Sequence, residues 1–181
     1  MDFKPPIVPN RSCDGCALCC KLVGIKEIAK PQAEWCPHCV KHSRCAIYES
    51  RPGECGEFHC EWLIKPQVGD VWRPTHSKMV LVMVEDGGRL KLVVHVDPGS
   101  PMAWRKEPYY SQLKTWSQNL LDRGGTVNVY IRNRVHVVFP DKDVDLGIFG
   151  DGDAVVVSAR KVGSAWQTEA TKATQPAGSP Q

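Results

Sequence analysis

Past Cys60 the chain has no cysteine: Glu61 to Gln181 is free of thiols, whereas all nine cysteines fall between Cys13 and Cys60. A long apolar run is lacking too. Nothing approaches the roughly 20 residues a membrane span needs, and Met1-Asp2-Phe3-Lys4-Pro5-Pro6 has no apolar stretch of the secretory kind. Membrane insertion and export are therefore not expected, and the cytoplasm, where thiols stay reduced, is the expected compartment. Charge of one sign is scarce: 23 basic and 20 acidic residues give a net +3 and a pI near 8.4. The four lysines between Lys21 and Lys41 are diluted by Glu27 and Glu34, so they read as a solvated surface rather than a phosphate-binding stripe. A phosphate-cradling glycine loop, a nucleotide fingerprint and an arguable Ser-His-Asp order are absent. The loose Gly147-x2-Gly150-x-Gly152 precedes a strand instead of a helix.

The lopsided thiols imply a ligand-binding module joined to an ordinary globular part. An apolar fraction of 42% and a charged fraction of 24% suit a soluble globular chain. Residues 1–12, with three prolines, read as an extended arm. Residues 13–63 form the cysteine module, and Leu63 to Pro74, carrying Pro66 and Gly69, reads as a join. Residues 75–162 form the second part. The stretch 165–181, rich in Thr, Ala, Gln, Pro and Ser, is expected to be a disordered tail.

Within 75–162 the pattern is mixed. The apolar run Met79 to Val84, the turn Glu85-Asp86-Gly87-Gly88, and Leu90, Leu92, Val94 and Val96 alternating with Lys91 and His95 predict a β-hairpin over 78–97. Tyr109, Leu113, Trp116 and Leu120 share one helical face between Pro108 and Gly124-Gly125. A second hairpin turns at Arg132-Asn133, and Ala154 to Ser158 reads as a last strand. The expected class is α+β: an irregular cysteine-rich module, then an antiparallel sheet of about five strands with one packed helix.

Cys13/Cys16, Cys16/Cys19 and Cys36/Cys39 each have the two-residue spacing that lets a turn aim both sulfurs at one metal, and Gly15 eases the first turn. Four thiols within Cys13 to Cys20 are too close for every sulfur to find a local disulfide partner. An odd total of nine without an export signal also argues against a disulfide framework. Thiolates select zinc or iron–sulfur clusters over hard cations. In an extended segment Cys19 and Cys20 would point to opposite sides and could serve two neighbouring sites. The candidate ligands are Cys13, Cys16, Cys19, Cys20, Cys36, Cys39, Cys45, Cys55 and Cys60, with His38, His42 and His59 as lesser candidates, in one site or two. Such a module would draw its folding energy largely from the metal.

Cys13-x2-Cys16-x2-Cys19-Cys20, followed by Cys45-Ala46-Ile47-Tyr48-Glu49-Ser50-Arg51-Pro52 and Cys55-Gly56-Glu57-Phe58, resembles the CxxCxxCC family of zinc- or iron-chelating proteins, the YkgJ-type cysteine-cluster proteins. The likeness covers residues 13–62. It implies Cys13, Cys16, Cys19, Cys20, Cys45 and Cys55 as ligands and supporting roles for Tyr48, Arg51 and Pro52. Gly56 stands where the family has Arg, and His59-Cys60 where it has Pro; Cys36, Cys39 and Cys60 are additions that suggest a larger or second site. A similar cysteine region in flagellin lysine N-methylases makes an iron–sulfur methyltransferase or redox enzyme the alternative to a non-catalytic metal-binding protein with a protein partner. A zinc-dependent nucleic-acid binder is disfavoured. Trp35 and Trp62 are expected to seal the module. Trp104, Arg105, Tyr109 and Tyr110 are expected as core and rim, the other option being a base-stacking patch. His76, His95 and His136 are expected at the surface, and Asp141, Asp143 and Asp145 in a solvated loop.

Overall fold

A computed structural model describes residues 5–174. Five strands form one sheet in the order β3-β4-β5-β6-β7: β3 (Met79–Asp86), β4 (Arg89–Val96), β5 (Thr126–Ile131), β6 (Arg134–Val138) and β7 (Asp143–Ile148). They follow two short strands of the cysteine module, β1 (Cys39–Val40) and β2 (Arg44–Cys45). Both predicted hairpins are present, β3 with β4 and β5 with β6. The α+β class is as expected, but the sheet is mixed rather than antiparallel, because β4 and β5 run parallel. The connection between them crosses over through a helix at Tyr109–Leu121, and a crossover returns the chain in its original direction.

Four short helices precede that one: α1 (Leu18–Leu22), α2 (Gly53–Glu57), α3 (Glu61–Ile64) and α4 (Pro74–Ser77), so the crossover helix is α5. Alternation along the strands separates two buried faces. Met79, Leu81, Leu92, Val94, Val127 and Val129 pack with Leu113 and Leu120 of α5 and with Trp62, Leu63, Val68 and Trp72. Residues 63–74 are thus not a bare join; they belong to the main core, with Trp72 fully buried. On the opposite face Val80 packs on Leu18 and Leu22 of α1. The cysteine module is therefore mounted on β3, and the two parts share core contacts. Lys21 reinforces the mount with an ion pair to Asp97 at 2.6 Å, and Gln32 with a hydrogen bond to His95.

The arm is held down: Val8 donates to the Leu63 carbonyl at 3.0 Å, and Arg11 donates to the Trp62 and Lys65 carbonyls. The expected tail is overturned over its first part, where β9 (Ala165–Thr174) pairs along its length with β8 (Asp153–Val162). Its weak apolar pattern is compensated by that partner strand and by Trp166 and Ala170, which pack beside Leu121, Val137 and Phe139. Residues 175–181 lie outside the described residues.

His76 is exposed and His95 half-buried, but His136 is buried against Trp104, contrary to its expected surface place. Asp143 and Asp145 are on β7, not in a loop, and pair with Arg105 and Arg134. The Tyr110 hydroxyl donates to Asp143 at 2.6 Å and the Tyr109 hydroxyl to the Val71 carbonyl at 3.0 Å, while Trp104 is fully buried. Those rings are core and rim, as expected.

Gly125 carries the passage from α5 into β5. A Cβ at this position would collide with the Leu90 carbonyl oxygen of β4, so the close approach of the two segments requires glycine. Gly125→Ala is expected to cost about 1–3 kcal/mol in urea denaturation, the usual range for overpacking. Unchanged stability would mean that the approach is not a packing constraint.

Candidate metal centre

The thiols are delivered by short, locally fixed segments. The Cys13 carbonyl accepts from the Cys16 N–H at 2.9 Å, closing a turn in which Gly15 takes φ +67 and Ser12 Oγ accepts from the Asp14 N–H. Cys19 and Cys20 lie on α1, not in the extended segment considered from sequence. Their side chains do not diverge to opposite sides, since the two thiols hydrogen-bond with each other. Cys36 donates its N–H to the Cys20 carbonyl at 2.9 Å, its own carbonyl accepts from Cys39 at 3.0 Å, and Cys39 faces Cys45 across β1 and β2. Cys55 sits on α2, and Cys60 immediately precedes α3.

Helix α2 is held by a pair of carboxylates for which the sequence gives no signal. Glu27 accepts from the Gly53 and Glu54 N–H groups at 3.1 and 2.7 Å, capping the helix start, while Glu54 accepts from the Lys26 N–H at 2.7 Å. These bonds clamp the loop after α1 to the helix that carries Cys55.

Cys13, Cys16, Cys19, Cys20, Cys36, Cys45, Cys55 and Cys60 line one cavity of about 480 Å³. Only Cys39 among the nine is not part of its wall, and all nine are free thiols. His38 and His59 reach the cavity wall. The His59 ring is engaged through Nδ1 with the Glu57 carbonyl at 2.8 Å, and His42 instead stacks on Trp35 at 4.0 Å. Trp35 is half-buried, while Trp62 belongs to the main core. Arg51 lies over the exposed Tyr48 ring at 4.0 Å, and both line the cavity. Among the described residues, no three His, Cys, Asp or Glu side chains already converge as the ligands of one ion. The donor chemistry suits a soft metal, and the thiols share a wall without converging on one ion.

The crowding has an electrostatic signature. Cys20 is pushed well above the ordinary thiol range, first by its hydrogen bond with Cys19 and then by burial. Burial raises Cys39 to about 11, with Cys20 adding to the effect, and burial raises Cys60 to about 11. Cys13 and Cys55 are raised as well, by burial first and by neighbouring thiols second. Without a cation these sulfurs keep their protons; a metal that binds them must displace those protons.

Lys30 is the residue that sequence reasoning missed most clearly. It is only 6% exposed, and its ammonium donates to the carbonyls of Lys21, Val23 and Pro31. Burial lowers its pKa, and the nearby Cys36, Cys20, Cys19 and Cys55 oppose that shift. A buried ammonium beside four thiols is a fixed positive charge where thiolates would form.

No family model matches the chain, and no match to it was found among curated proteins or among solved structures. The site therefore stands on its own geometry.

Lys30→Met keeps the stem but leaves three carbonyls without their donor. The expected loss is about 3 kcal/mol in chemical denaturation, in keeping with buried polar groups left unpaired. Stability equal to the wild type would show that the ammonium is not integral to the module.

Proposed function

We propose that the chain is a metal-binding protein that holds zinc or an iron–sulfur cluster through the clustered thiolates of residues 13–60. The observation that carries this reading is the shared cavity wall of eight thiols, with the buried Lys30 ammonium beside it. Disulfide scaffolding accounts less well for that arrangement, since it leaves the buried cation without a countercharge. The resemblance to the CxxCxxCC family supports the same reading. The cellular setting that goes with it is a reducing one, the cytoplasm; no helix among the described residues is long and apolar enough to cross a membrane.

Zinc and iron–sulfur chemistry make different use of the same wall. Zinc in a closed thiolate site is structural, and its binding energy is folding energy for a module with few large buried side chains. An iron–sulfur cluster would add electron transfer or assist an enzyme reaction, with the cations Lys30 and Arg51 adjusting its potential.

Anaerobic purification followed by metal, sulfide and visible-absorbance measurements separates the two. Near-stoichiometric zinc without sulfide or colour is expected for the structural site, and iron with sulfide and visible absorbance for the cluster. Recovery of the reduced chain with neither metal, and no uptake of either on reconstitution, would remove the proposal.

A further inference from the structure

Cys39, the one thiol of the nine outside the cavity wall, stands directly opposite a thiol that lines it, Cys45. The Ala46 N–H donates to the His38 carbonyl at 2.8 Å, one residue beyond the pair on each strand. That bond makes Cys39 and Cys45 a non-hydrogen-bonded pair of an antiparallel ladder, and the two side chains leave on the same face. Such a pair brings its Cα atoms to about 4.5 Å, within the range of about 4.4–6.8 Å that a disulfide spans.

The turn between the two strands is held tightly. Lys41 and His42 both take positive φ, 48 and 56, a left-handed conformation that residues with a side chain adopt at a cost. Ser43 offsets that cost by donating its N–H and its hydroxyl to the Val40 carbonyl at 3.1 and 3.2 Å, and the His42 ring stacks on Trp35. The hairpin thus fixes the backbone separation of Cys39 and Cys45 whatever else their thiols touch. The Cys39 thiol also hydrogen-bonds with that of Cys20 on α1, but Cys45 is the partner that the ladder holds at disulfide distance.

We propose that this hairpin is a redox switch of the thiol wall: a hydroperoxide closes a Cys39–Cys45 disulfide, which removes Cys45 as a ligand. One thiol of the pair takes an oxygen atom from the peroxide, becomes a sulfenic acid and releases one water. The other sulfur attacks the sulfenic sulfur; the S–S bond forms, the S–O bond breaks, and the hydroxyl leaves as a second water with the second thiol proton. In all, two thiols lose two electrons and two protons, and hydrogen peroxide is reduced to two waters. The thiolate is the form that binds metal, so a disulfide-bonded Cys45 no longer serves the wall. The pairing stands on the backbone alone, whereas its consequence for metal rests on the metal-binding reading above.

The test oxidises the full reduced chain with one equivalent of hydrogen peroxide, both metal-free and after loading with zinc(II). Remaining thiols are blocked by alkylation, and linked peptides are mapped by mass spectrometry. Cys39–Cys45 is expected as the principal link, reversed by dithiothreitol. Zinc is expected to leave the wild type as the link forms and to stay in Cys39→Ser under the same treatment. Cys39 linked mainly to Cys20 or Cys36, or left reduced, would overturn the switch, as would zinc retained by the linked wild type or lost equally from Cys39→Ser. Linkage mapping in the wild type needs no variant, so it decides the pairing even where Cys39→Ser takes up no zinc. A wild type that takes up no zinc and, as isolated, carries no iron would instead overturn the metal-binding reading, with the pairing still decided in the metal-free chain.

Discussion

A wall of eight crowded thiols can keep its sulfurs close only as neutral SH groups or as ligands of a cation, because thiolates side by side repel one another and lose hydration when buried. The raised pKa values of Cys13, Cys20, Cys55 and Cys60 express that constraint directly. Lys30 and Arg51 answer part of it from the protein's own side chains, Lys30 from a buried position fixed by three carbonyls. Two monovalent cations do not neutralise eight thiolates. In the metal-binding reading proposed above, a soft divalent metal or an iron–sulfur cluster would supply the remaining charge and replace S–H protons with bonds to sulfur.

The rest of the fold can be understood as the support for that wall. Leu18 and Leu22 of α1 seat on Val80, which fixes the direction in which Cys19 and Cys20 leave the helix. Glu61, buried beside Cys60, accepts from the Met83 N–H and so ties α3 to the edge strand β3. Glu27 and Glu54 clasp the loop before Lys30 to α2. The main core of the sheet draws on α3 through Trp62 and Leu63 but otherwise rests on Trp72, Trp104, Leu113 and the valines of β4 and β5. Energetically the two parts are therefore unequal: each fully buried Val or Leu side chain contributes about 1.5–3 kcal/mol to the sheet, whereas among the described residues the module has few such side chains.

How much of this was legible depends on whether a residue's role is periodic. The hairpins, α5 and the clustering of the thiols follow from spacing, since Leu92, Val94 and Val96 or Cys13, Cys16 and Cys19 carry their pattern in sequence. The parallel pairing of β4 with β5 depends on how the chain crosses over, which no local pattern encodes. Strand β9 is hidden by a composition rich in Thr, Ala and Gln, which resembles a disordered tail; its buried positions Thr168 and Ala170 are small or polar, and β8 gives the strand its partner. Lys30 and Glu27 look like surface charges in sequence for a similar reason. Their partners are backbone groups, and a lysine that meets carbonyls of residues 21, 23 and 31 looks like any other lysine in sequence. Cys39, spaced like a ligand from Cys36, is not part of the cavity wall, although its thiol hydrogen-bonds with that of Cys20.

The central claim is that metal, rather than apolar packing, holds residues 13–60 in place. Hydrogen exchange on the anaerobic protein before and after metal removal by a chelator under reducing conditions tests it most directly. Protection is expected to collapse across 13–60 and to persist across 79–96 and 126–138. Unchanged protection of residues 13–60 in the stripped, fully reduced chain would contradict the claim.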